Sequence, residues 1–76
     1  MTPFERVADL AADMESESLP GLGQELRTSH EGIFNGTELY MAWRFHVAKA
    51  LDEPRLSDRT RAKALALWQM LDGDLS

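Results

Sequence analysis

The sequence predicts an all-α fold, a small bundle of three main helices plus one short helix, and three observations carry that prediction. Apolar residues recur every three or four positions in three separate windows, with start signals of capping type ahead of them. No window alternates apolar and polar residues with the period of two that a half-buried strand requires. The chain has 76 residues and no cysteine, so helix packing has to do what disulfides do in many domains of this size. That length allows one helical domain, residues 1–76.

The first helix opens on a capping box, Thr2-Pro3-Phe4-Glu5. The Thr2 hydroxyl accepts from the Glu5 amide, Glu5 reaches back, and Pro3 sits where its missing N–H is harmless. Phe4, Val7, Leu10, Ala11 and Met14 then share the buried face, and Asp9, Asp13 and Glu17 form a solvated ridge opposite. The helix fades near Ser16 to Ser18. Leu19-Pro20-Gly21-Leu22-Gly23 reads as a turn, because Pro-Gly is strong punctuation. A short helix over about 22–30 follows, with Leu19, Leu22 and Leu26 turned inward; it is too short to persist in water unless packed.

Asn35-Gly36-Thr37-Glu38 opens the third helix, with Asn35 as cap and Phe34 and Leu39 placed to form a hydrophobic staple. The helix runs to Asp52 or Glu53 and is stopped by Pro54. Leu39, Ala42, Trp43, His46, Val47 and Ala50 make its broad apolar face, which marks it as the central element. The last helix begins at Ser57 or Asp58 and ends at Gly73, a residue suited to the left-handed position beyond a helix. Ala64, Leu67, Trp68 and Leu71 form its buried stripe, Leu65 lies on the flank, and Arg59, Lys63 and Gln69 lie opposite.

Charge is distributed unevenly. The net charge is −5, and all of it lies in residues 1–31; the remaining residues hold equal numbers of acids and bases. An acidic chain is a poor general ligand for nucleic acid, since phosphate contact needs an excess of Lys and Arg. The basic run Arg55, Arg59, Arg61 and Lys63 at the start of the last helix reads first as a solvated face paired with Glu53 and Asp58. A helix-turn-helix contact with nucleic acid is the alternative.

Few side chains here lend themselves to catalysis. There is no cysteine, no Gly-x-Ser-x-Gly elbow, and no complete phosphate loop around Gly21-Leu22-Gly23. His30 and His46 stand outside any metal-ligand spacing. The expectation is therefore no enzyme, no catalytic residue, no metal and no cofactor. His30 is expected as a solvated loop residue, and His46 as a packing residue with one ring nitrogen hydrogen-bonded. No apolar run reaches the roughly 18–20 residues of a membrane span, and no secretory or lipidation signal is visible, so a cytoplasmic protein without membrane contact is expected.

What remains is surface. Met41 and Phe45 stand four positions apart on the face of the third helix opposite Trp43, and Met70 falls with Arg59 and Lys63 on the last helix. Helix one or the short helix either covers Met41 and Phe45, or leaves them as an apolar patch with a charged rim, suited to binding another protein. Asp9, Asp13, Glu17, Met41, Phe45 and Met70 are the candidate partner-binding residues, the acids steering a partner with a basic surface and the apolar side chains docking it. The expected function is that of a small acidic interaction protein that binds and inhibits or neutralises a partner protein by surface occlusion. Bacterial immunity proteins, antitoxins and phage-encoded inhibitors are similar in shortness, acidity and helicity; the likeness is one of size and charge, with no shared motif. A homodimer using the same apolar residues is the alternative.

Overall fold

Four helices form within residues 2–75, the part of the chain that a computed structural model describes: α1 (Pro3–Ser16), α2 (Pro20–Thr28), α3 (Gly36–Leu51) and α4 (Asp58–Leu75). No strand occurs among the described residues. The starts follow the capping chemistry. Thr2 Oγ1 accepts from the Glu5 amide at 3.2 Å, and its hydroxyl donates to the Glu5 carboxylate. Asn35 Oδ1 accepts from the amides of Thr37 and Glu38 at 2.8 and 3.2 Å. Ser57 Oγ accepts from the Thr60 amide at 3.2 Å and opens α4 in the same way.

The turn expected over Leu19–Gly23 lies earlier. Glu17 closes α1, Ser18 takes the left-handed conformation (φ 64°), and the Leu19 amide returns to the Met14 carbonyl at 2.9 Å. That is a Schellman-type ending, with Met14 and Leu19 both buried beneath it. Pro20 then serves as the first residue of α2, where its fixed φ suits the helix. Gly21 and Gly23 lie inside α2. Gly23 is there because α1 passes too close for a side chain: a Cβ would stand 2.8 Å from the Ala11 carbonyl oxygen and 2.7 Å from Glu15 Cγ.

Three further expectations are corrected. α4 continues through Gly73 to Leu75, since Gly73 keeps an ordinary helical φ. The Phe34–Leu39 staple does not form: Phe34 is 99% exposed while Leu39 packs at the edge of the core. Phe4, placed on the buried face, stays more than half exposed, its ring edge-on to Trp43 at 4.9 Å and to His30 at 5.8 Å.

Trp43 is the largest fully buried side chain, and Leu10, Met14, Leu26, Val47 and Leu71 are buried with it. Leu56 and Thr60, which periodicity does not single out, are buried too. α3 and α4 run antiparallel, tied at one end by Arg44–Asp72 (2.5 Å) and at the other by the Arg61 guanidinium. Arg61 donates to the carbonyls of Leu51 and Glu53, so one cation answers the open C-terminal end of α3.

The seam between α1 and α4 corrects the picture of a solvated acidic ridge. Asp9, Asp13 and Glu17 face α4. Lys63 Nζ binds Asp9 at 2.5 Å and also Asp13, while Glu17 accepts from the Ser57 amide at 2.9 Å and from the Thr60 hydroxyl. α1 therefore runs antiparallel to α4, and Glu17 serves as a second cap at the N-terminus of α4.

This seam predicts a pH dependence. The Thr60 and Ser57 hydrogen bonds hold the Glu17 carboxyl below its ordinary value of 4.5, and the Asp13 and Asp9 carboxylates raise the Lys63 ammonium above 10.5. A depressed carboxyl contributes stability that is present above its unfolded value and is lost as pH falls through the folded one. For Lys63 the contribution is present below 10.5 and is lost as pH rises through the raised folded value. Thermal melts between neutral pH and pH 3 should show Glu17→Gln with a lower Tm at neutrality and a shallower acid-side decline than wild type. An unchanged acid limb would remove Glu17 from this role.

Candidate functional site

The seam engages three of the residues nominated for partner contact: Asp9, Asp13 and Glu17 spend their carboxylates on α4. Met70 is half-buried and packed against the core. Met41 and Phe45 remain. Neither α1 nor α2 covers them: Met41 is 51% exposed and Phe45 66%.

These two do not stand alone. A groove of about 290 Å3 between α3 and α4 is lined by Met41, Arg44, Phe45, Ala48 and Trp68. Groove-lining Met41, Phe45 and Ala48 belong to a stripe that Glu38 begins and Asp52, at the C-cap, ends; three- and four-residue spacing keeps all five on the side opposite buried Trp43 and Val47. On α4, Leu65 is 46% exposed one turn before Trp68, and Asp58 lies seven residues before Leu65 on the same face. Trp68 packs against the core from the groove side, so one aromatic ring serves both as core boundary and as groove floor.

Charge surrounds this apolar strip. The Arg44–Asp72 pair sits within the groove at 2.5 Å. Glu38, Asp52, Asp58 and Asp74 have no ion-pair partner among the described residues. Because α3 and α4 are antiparallel, Asp52 and Asp58 gather at one end of the hairpin and Glu38 and Asp74 at the other.

The basic run at the start of α4 has other duties. Arg55 pairs with Glu53 at 3.0 Å, Arg61 is bound to the carbonyls at the end of α3, and Lys63 lies in the α1–α4 seam. Among the described residues Arg59 alone of this run makes no hydrogen bond or ion pair, and its charge acts on Glu17, so this run presents no row of free guanidinium groups. Asp58, one of its expected partners, does not pair with it.

The histidines sit apart. His30 is exposed in the loop after α2 and touches the Phe4 ring. His46 is half-buried beside the Phe45 ring at 5.3 Å, and its Nδ1 is buried without the hydrogen-bond partner expected for it. Among the described residues no three His, Asp or Glu side chains converge as metal ligands would, and no helix is long and apolar enough to cross a membrane.

Reading the sequence missed the α4 side of the groove. Leu65 was legible only as a flank residue and Trp68 only as core. The signal that finds them is the pairing of two stripes, Glu38 to Asp52 on α3 and Asp58 to Leu65 on α4, in helices joined by a short turn. No protein-family model matches the chain, and no curated protein or solved structure matches it.

Proposed function

We propose that this protein is a binding domain that acts by covering part of another protein, and that it docks through the α3–α4 face. One observation supports this reading above all. Met41, Phe45 and Leu65 stay about half exposed or more around Trp68, although the core closes without them. Large apolar side chains grouped in this way cost nothing to fold around and gain most when a partner removes them from water. Aromatic and arginine side chains carry much of the energy at such faces, and here Phe45, Trp68 and Arg44 line one groove. Met41 adds an adaptable wall. An interface of about 800 Å2 on this side would occupy roughly a sixth of the 4586 Å2 surface. Occlusion, inhibition or neutralisation of the partner follows from that coverage.

The test compares wild type with Phe45→Asp as baits in cells that encode the protein. Phe45 is exposed, so the variant should keep its helical content and lose about 1 kcal/mol of stability or less. The proposal expects a discrete protein retained by wild type and lost by the folded variant. Equal capture by both baits, or capture by neither, would overturn it.

A further inference from the structure

Resting on that docking face, we infer that its partner offers a basic amphipathic helix, with cationic residues near both ends of an apolar stripe. The shape comes from the groove. It lies between two antiparallel helices, and among the described residues there is no strand edge to which an extended segment could add. A helix laid along α3 and α4 meets Met41, Phe45, Leu65 and Trp68 through apolar residues at i, i+3 or i+4, and i+7.

The charge comes from the ends. Glu38 and Asp52 bracket the α3 stripe, 14 positions apart, which is about 21 Å along the helix. Asp58 stands with Asp52 at one end and Glu38 stands at the other; none of these three has an ion-pair partner among the described residues. Asp52 is the telling case. It occupies the C-cap of α3, where the helix dipole disfavours an anion. Arg61 takes the carbonyls there and makes no ion pair with the Asp52 carboxylate. A cation brought by a partner would relieve that position, and another at the far end would meet Glu38.

The same charges argue against a second copy of this chain. A two-fold interface through this face would bring one acidic rim against another, with Arg44 already engaged by Asp72.

The experiment pans a displayed library of helix-forming peptides, about 20 residues or about 30 Å long, against the wild-type chain, with Phe45→Asp as counter-target. Recovered peptides should carry an apolar stripe with Lys or Arg toward both ends. They should bind the variant Glu38→Gln/Asp52→Lys/Asp58→Asn about tenfold more weakly at low salt, with the gap narrowing as salt is raised. Phe45→Asp should weaken them by about thirtyfold or more. Phe45-dependent peptides without basic ends, or with affinity indifferent to the charge variant, would overturn the basic helix and leave the docking face standing. Absence of any Phe45-dependent peptide would overturn the face itself. A wild-type dimer in sedimentation that Phe45→Asp dissociates would make a second copy the occupant and overturn the inference.

Discussion

Trp43→Ala is expected to cost about 3–5 kcal/mol, measured by urea denaturation. Trp43 is 1% exposed, at the centre of the core, and Phe4 and Tyr40 pack against its ring at 4.9 and 5.7 Å. At about 0.05–0.15 kcal/mol per residue, a chain of 76 residues has a total stability of the same order. The variant should therefore be largely unfolded or close to it. Trp43→Phe should cost less than half as much, because the buried indole N–H has no acceptor to lose. Equal losses for the two variants would mean that the indole nitrogen has a partner and that packing is not the main contribution.

Gly23→Ala should be the next most damaging change, at about 1–3 kcal/mol. The added methyl would meet the Ala11 carbonyl oxygen at 2.8 Å, a backbone atom that moves only if α1 moves. Glu15 is the softer neighbour, but its carboxylate is held by Arg27 at 2.6 Å. Gly21, two positions earlier in the same helix, has open space where its Cβ would be. Gly21→Ala should accordingly gain up to about 1 kcal/mol from helix propensity alone. The pair of variants separates close approach from propensity. A stable Gly23→Ala would show that α1 and α2 do not pack as closely as described.

The fold was legible where local chemistry and helical period agree. Thr2 and Asn35 cap the helices they were read to cap, and Val7, Leu10, Met14, Trp43, Leu67 and Leu71 are buried on the faces that periodicity assigned. It was less legible where one residue type serves two purposes. Pro20 suits a turn and the first turn of a helix equally well, and only the earlier Schellman ending at Ser18 decides between them. Gly73 suits a C-terminal cap, yet α4 continues past it.

Charges were the least legible. A carboxylate at helical spacing looks unpaired until the opposite helix is in place, and Lys63 of α4 pairs with both Asp9 and Asp13. Of the proposed contact residues, Met41 and Phe45 stay exposed because neither α1 nor α2 covers them. Trp68 joins them through tertiary geometry, which no single helical stripe contains.

The most direct test of a face left open for a partner is photocrosslinking in living cells, with p-benzoylphenylalanine in place of Phe45 and, as control, in place of Ala12, exposed on α1. A single heterologous adduct of defined mass at position 45, absent at position 12, is the predicted result. No adduct at position 45, or the same adducts at both positions, would contradict the account.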